Sequence, residues 1–225
     1  MLAVKNTLRF LGTCIPLLIL SSLILALMIQ QMGRRKRGFQ AAFLIPMAVP
    51  IASVVLFWRL VFDKNGFLNR AMEFFSLTAV DWMNEGTAFY VLVISYLWKN
   101  MGYFIVLWLA GLNGIPVSYY EAAKVDGASD WKCFFYITLP QLAPSFMMIT
   151  VLAFVNSFKV FREAYLIAGD YPHKSIYMLQ HLFNNWFVSL DIQKMSTAAV
   201  ALAVSIGVLI GGSVILEKKI GSEDR

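Results

Sequence analysis

Glu121, with Ala122 and Ala123 beside it, heads the longest ordered-looking polar stretch in an otherwise apolar chain. Its chemistry is that of docking rather than catalysis: one carboxylate over a low methyl surface suits a partner's groove. The surrounding spacing reads as two short helices. Pro116 suits a first helical turn, where its missing N–H costs nothing, and Glu121 to Val125 are mostly good helix formers. Gly127 can take the left-handed conformation that ends a helix. Ser129 or Asp130 can cap the next turn, and Pro140 closes the unit before a new apolar run. No catalytic constellation accompanies it. The histidines are His173 and His181 alone, the cysteines Cys14 and Cys133 alone, without metal-ligand or disulfide-framework spacing. There is no glycine-rich phosphate loop with its lysine, so any ATP must be bound by another chain. No cofactor and no metal are expected.

The same residues carry a resemblance. Glu121-Ala122-Ala123, three residues, Gly127, nine residues, then Ile137, Leu139 and Pro140 is similar to the EAA loop of the membrane subunits of ABC importers. Leu109-Ala110-Gly111-Leu112 and Asp126-Gly127-Ala128-Ser129 look most like the sugar-importing branch. The resemblance implies that residues 113–140 form a cytoplasmic coupling loop within a single permease domain, 1–225. Glu121, Ala122, Ala123, Asp126 and Gly127 would then engage an ATPase subunit, with Glu121 meeting a basic residue. It also implies the partners: two ATPase subunits, a second related permease subunit forming a heterodimer, an extracellular solute-binding protein and membrane lipid, but no nucleic acid. The setting is the plasma membrane of a bacterium or archaeon.

Composition fixes the class without the family. Hydrophobic residues make up 59% of the chain and charged residues 14%, with a mean hydropathy of +0.67. A soluble domain does not spend its surface that way. The reading is an all-α, polytopic transmembrane bundle. Five stretches reach the roughly 20 residues that a crossing needs: Leu8 to Ile29, Phe39 to Phe62, Thr87 to Leu112, Gln141 to Ala168, and Ser196 to Leu216. Pro46 and Pro50 should kink the second.

The basic run Arg34 to Arg37 places the first connection in the cytoplasm. Alternation then puts 63–86 outside, the Glu121 loop with Lys124 and Lys132 inside, 170–195 outside, and the tail with Lys218 and Lys219 inside. Charge placement and the family resemblance agree on the loop. They leave Met1 outside, whereas the resembled subunits usually begin with one further helix. Ala3 to Thr7 resembles the entry to the family's second helix. The expectation is a start truncated by one helix, or a subunit that lacks it. In the first outer segment, Arg70 to Leu77 reads as an amphipathic piece along the membrane surface with Phe74 and Phe75 inward. Trp58 and Trp82 flank it as interfacial anchors.

Polar groups at mid-span face a path or a partner helix. Asn100 and Asn156 fall near the middle of the third and fourth spans, with Tyr103 near the first, and Ser157 and Lys159 beside the second. Gly102 would let a ring-shaped ligand approach the backbone. Amides and aromatic faces suit a neutral sugar, and these residues are the candidate solute contacts. Such groups also serve simply to join helices. A secondary transporter driven by an ion gradient is the competing class. It needs buried mid-span acids, and Glu163 is the single carboxylate within the spans. From this reading, Gly127→Asp or a bulky β-branched residue there should abolish uptake while leaving membrane insertion intact, as measured by transport assay and membrane fractionation.

Overall fold

Inside a bilayer every backbone N–H and C=O must find its partner within the protein, which for a chain this apolar means helices. The computed structural model describes residues 1–33, 36–160, 164–165 and 172–223, with side-chain surroundings for all of these except 159, 209–210 and 213–223. Among the described residues the ordered elements are all helical.

Helix α1 (Leu2–Gln30) and helix α5 (Ala88–Asn113) form the central pair. Phe10, Cys14, Leu18, Ser22 and Ala26, four residues apart, make the buried stripe of α1, while Leu17, Leu20, Ile24 and Met28 are exposed. An amphipathic helix in water would carry polar groups on that outer face. Here both faces are apolar, as a lipid environment requires. Three of the contacts that join the pair lie along its length. Arg9 lies 4.0 Å over the Phe89 ring, Phe10 meets Tyr96 edge-on at 5.3 Å, and the indole N–H of Trp108 donates to Ser22 Oγ at 3.1 Å.

The second apolar stretch is not one straight crossing. Helix α2 (Lys36–Ala48) stops, and α3 (Ile51–Phe62) restarts; Lys36–Ala48 and the Ile51–Phe74 stretch meet at 93°. Pro50 is the cause, since it lacks an N–H and its ring drives Val49 away from helical geometry. Pro46 sits inside α2 without breaking it. Among the described residues two helices, α1 and α5, are long and apolar enough to cross a membrane as single rods, or up to four if each bent pair counts once. The other bent pair joins Asp130–Gln141 to α9 (Ala143–Ser157), so its bend lies at the entry to the fourth stretch; α9 itself ends in one 3-10 turn, Phe158–Val160. Its expected continuation through Arg162 and Glu163 lies outside the described residues, as do Arg34, Arg35 and Asp170. The last span falls within the final helix, α11 (Ile192–Glu223).

Gly102 is where α2 and α5 touch. A Cβ there would lie within 1.9 Å of the Phe43 carbonyl oxygen. The room that the sequence suggests for a ligand ring is therefore filled by the α2 backbone, a correction to that reading.

At one end of the bundle, Asn6 Nδ2 donates to the carbonyls of Lys174 (2.6 Å) and Tyr177 (2.9 Å). Beside it, Leu179 N donates to Thr7 Oγ1 at 3.0 Å. These bonds seat helix α10 (Leu179–Val188) on the start of α1. At the same end, Asn69 of α4 (Phe67–Phe74) is buried and knots the loop together. Its amide donates to the carbonyls of Lys64 and Val80, and its oxygen accepts from Val80 N and from the Trp82 indole at 2.9 Å. Trp82 is thus a loop strut rather than a free interfacial anchor. Trp58 is buried too, stacked on Phe62 and edge-on to Trp98. Phe74 and Phe75 point away from the rest of the chain and pack on each other.

A side chain at Gly102 must push α2 off α5, so Gly102→Val should cost at least the 1–3 kcal/mol typical of overpacking. The expected outcome is a lowered thermal unfolding midpoint in detergent with insertion retained. An unchanged midpoint would contradict the crossing.

Candidate functional site

The polar stretch is an ordered two-helix unit at the other end of the bundle. Helix α6 (Val117–Val125) follows Pro116. It ends with Gly127 at φ +78°, where Ala128 N donates to Ala123 O (2.9 Å) and Gly127 N to Lys124 O (3.0 Å). This paired closure satisfies the last carbonyls and needs the left-handed residue between them. Ser129 then caps helix α7 (Asp130–Cys133), its hydroxyl accepting from Lys132 N. Of the two cap candidates, the geometry selects Ser129.

Helix α7 runs into a π-helical segment, Phe134–Thr138, and a last short turn, α8 (Leu139–Gln141). Pro140 explains the widening. Its ring collides with the carbonyl four residues back, and it has no N–H to offer that carbonyl. The Thr138 hydroxyl sits 2.9 Å from Tyr120 Oη, tying the π segment to α6. The Asp130–Gln141 rod meets α9 at 61°.

The base of the unit is fixed to the bundle. Lys36 Nζ donates to Gln30 Oε1 (2.6 Å) and Asn113 Oδ1 (3.0 Å), and Gln30 Nε2 donates to the same Asn113 oxygen. One lysine thus joins the ends of α1 and α5 where the loop departs. It also puts the basic run and the loop at the same end of the bundle, as charge placement and motif independently require. A cavity of about 450 Å³ lies beneath, between Gln30, Asn113, Tyr120 and Thr138.

The outer surface is open. Glu121 and Ala122 are exposed and Ala123 is half-buried. Around them stand apolar groups without cover: Val125 at 87% exposed, Trp131 at 74% and Tyr136 at 81%. Trp131 stacks on Phe135 at 6.2 Å. Lys124 and Asp130 approach only to 3.9 Å in solvent, an interaction worth little. The unit thus presents a carboxylate-and-alanine ridge with exposed aromatics beside it. Tyr120, Thr138, Gln30, Lys36 and Asn113 do not stand out in the sequence, since each is ordinary alone and matters through a partner far along the chain. Trp131 and Tyr136 could be found as large aromatics in a polar stretch.

The mid-span candidates divide. Asn100 is half-buried and donates to Tyr96 O on its own helix at 2.8 Å. Tyr103 is half-buried and meets Phe104 edge-on. Ser157 is buried and returns its hydroxyl to Phe154 O, and Asn156 is half-buried on α9, which packs on α5. The Lys159 side chain lies outside the described residues. Neither the cavity above nor the cleft between α1, α2 and α5 is lined by Asn100, Tyr103 or Asn156.

Residues 18–221 match the family described as binding-protein-dependent transport system inner membrane component. Among curated proteins, a probable ABC transporter permease of Pyrococcus horikoshii is 28% identical over 184 residues, covering 79% of this chain and 62% of the relative. The xylose/arabinose import permease XacH of Haloferax volcanii is 29% identical over 217 residues, 92% of this chain and 67% of its own length. The trehalose/maltose permease MalF of Thermococcus litoralis is 31% identical over 164 residues, 72% and 56%. The chain thus spans between 56% and 67% of the length of these three relatives. In fold, it resembles a chain of a bacterial alginate ABC transporter, solved with an alginate-loaded periplasmic protein. The TM-score is 0.85 at 21% identity, over 97% of this chain and 78% of that one.

A Cβ at Gly127 would meet nothing within 4 Å. Substitution there is therefore resisted by backbone conformation alone. Asn, and Asp with it, tolerate the left-handed region, so Gly127→Asn should keep the loop. Gly127→Val should open it at a cost of about 1–2 kcal/mol, read as faster hydrogen exchange over 122–130. Equal exchange in both variants would contradict this account. By the same reasoning Asp keeps the turn, so the loss of uptake expected for Gly127→Asp would come from its added charge beside Glu121 and not from the backbone.

Proposed function

The chain belongs to the binding-protein-dependent transport system inner membrane components, and on that premise we propose that it is the permease subunit of an ATP-driven importer carrying a sugar or oligosaccharide inward. The observation that carries the proposal is the doubly capped, outward-facing loop around Glu121, held at its base by Lys36, Gln30 and Asn113. Sugar import in the printed names of the XacH and MalF relatives supports the substrate class.

In this reading the working partners are two ATPase subunits in the cytoplasm, a second related permease subunit and an extracellular solute-binding protein. The bilayer is the plasma membrane of a bacterium or archaeon. ATP binding closes the ATPase pair, and Glu121 with the Ala122–Ala123 ridge rides in a cleft on one of them. Because Tyr120 bonds α6 to Thr138 and α6 follows the end of α5 by three residues, its displacement passes to the π segment and α9 on one side and to Asn113 and α5 on the other. Solute released by the binding protein passes between this chain and the second permease subunit. Asn100, Tyr103, Asn156, Ser157 and Lys159 are its candidate contacts. Gly102 serves the α2–α5 crossing instead.

Glu121→Ala removes one side of a charge-assisted contact, worth about 1.5–3 kcal/mol, or about 10- to 100-fold in ATPase-subunit affinity. Co-purification of the ATPase subunits and sugar uptake should fall together, while the solute-binding protein still docks. Val125→Cys, almost fully exposed, should react with an impermeant thiol reagent only in inside-out vesicles. Buried Cys133 is a poor reporter. Labelling of Val125→Cys from the cell exterior, or uptake that persists without an ATPase subunit, would overturn the proposal.

A further inference from the structure

The cavity of about 450 Å³ beneath the two-helix unit has the size of a small-molecule site, a class that runs from roughly 300 to 1,000 Å³ and sets a few polar groups among apolar walls. Its polar groups are Gln30, Gln31, Asn113, Tyr120 and Thr138, and the rest of its wall is aliphatic. The ends of α1 and α5, helix α6 and the π segment therefore all border one space.

The hydrogen bonds already made decide what that space can take. Lys36, which is not part of the wall, occupies Gln30 Oε1 and Asn113 Oδ1, and Gln30 Nε2 donates to the same Asn113 oxygen. Among the described residues, the Asn113 amino group and the Gln31 amide bond to no other group. Tyr120 Oη lies 2.9 Å from Thr138 Oγ1, which itself donates to Cys133 O. The phenol is then the donor of that pair, and its oxygen is left to accept. Spare donors and a spare acceptor thus stand together with no charged side chain.

Three classes of occupant fit poorly. A cation would meet amide oxygens already turned to an ammonium group. An anion would find no charged side chain in the wall to replace its water. An apolar molecule would strip water from the polar groups and return no hydrogen bond. A neutral polyhydroxy compound meets every condition, since its hydroxyls donate and accept while its C–H faces lie on the aliphatic wall.

We propose that this cavity is a regulatory site for a neutral sugar, apart from the candidate solute contacts, none of which lines it. A sugar seated there bonds α6 through Tyr120 and the ends of α1 and α5 through Gln31 and Asn113. It holds α6 against the bundle and opposes the displacement that α6 transmits, so sugar accumulating on this side slows its own import. The regulatory role rests on the importer reading; the binding does not.

The test uses the assembled transporter without its solute-binding protein, with glucose and maltose as probes. At least one of them should slow hydrogen exchange over 113–125 and 134–139 and leave 174–182, at the other end, unchanged. Gln31→Leu, at an exposed position, removes one bonding group and should weaken that protection about 2- to 10-fold in sugar concentration. Gln31→Trp should fill the cavity and abolish it. ATP hydrolysis by the assembly should fall as the protecting sugar is added, and Gln31→Trp should remove this dependence whatever its own rate. No protection by either sugar, protection that survives Gln31→Trp, or equal protection by trimethylamine N-oxide, which acts by exclusion from the surface, would overturn the site. Protection without any change in ATP hydrolysis would overturn its regulatory role. An assembly that imports no sugar at all would sink the importer reading and leave the binding result standing. Protection in the unaltered protein, set against trimethylamine N-oxide, decides the matter even if a variant fails to assemble.

Discussion

The α1–α5 seam is the contact on which the other elements depend. In lipid, burying an apolar side chain against another gains nothing over burying it in acyl chains, so close packing and polar ties must hold helices together. This seam has both. Phe10 and Tyr96 interlock, Arg9 covers Phe89, and Trp108 finds its one hydrogen-bond partner in Ser22. Every other element is placed with respect to it. Helix α9 packs on both members, α2 leans on α5, and α10 is seated on the start of α1.

The seam also explains how two ends of one bundle come to differ. At the Asn6 and Thr7 end, side-chain amides and hydroxyls grip the backbone of a distant loop. At the Gln30 and Asn113 end, a lysine is held by two amide oxygens, and the charge stays uncancelled. The first arrangement fixes a loop in place. The second leaves a cation at the surface next to an exposed two-helix unit. The sidedness that the basic run conveys in one dimension is thus present in three.

Much of this was legible because it is local. The stop at Gly127, a cap at Ser129 or Asp130 and the break near Pro50 follow from what those residues can do with their own backbone; the structure has the stop, the break and, of the two caps, Ser129. What was not legible depends on who arrives from elsewhere. Gly102 is vacant in sequence and filled in space by Phe43 and Leu44. Trp58 and Trp82 have the composition of interfacial residues, yet one is buried among Phe62 and Trp98 and the other is bound to Asn69. Apolar periodicity finds a crossing but not the size of a bend: the kink expected in the second stretch amounts to 93°, and the 61° turn into the fourth stretch after Gln141 has no signal in the apolar pattern. Half-buried Asn100 and Asn156 remain polar groups in an apolar chain, and of the mid-span candidates only Gly102 is reassigned by geometry.

The π turn at Phe134–Thr138 has a mechanical meaning of its own. Such a turn carries one residue more than the α-helix on either side of it. Pro140 keeps it from closing to ordinary winding, so everything downstream is offset from a continuous α-helix by one residue's worth, about 100° of rotation and about 1.5 Å of rise. Tyr120, bonded to Thr138 from the neighbouring helix, ties that offset to α6, so the phase of the rod that enters α9 and the position of α6 are set together.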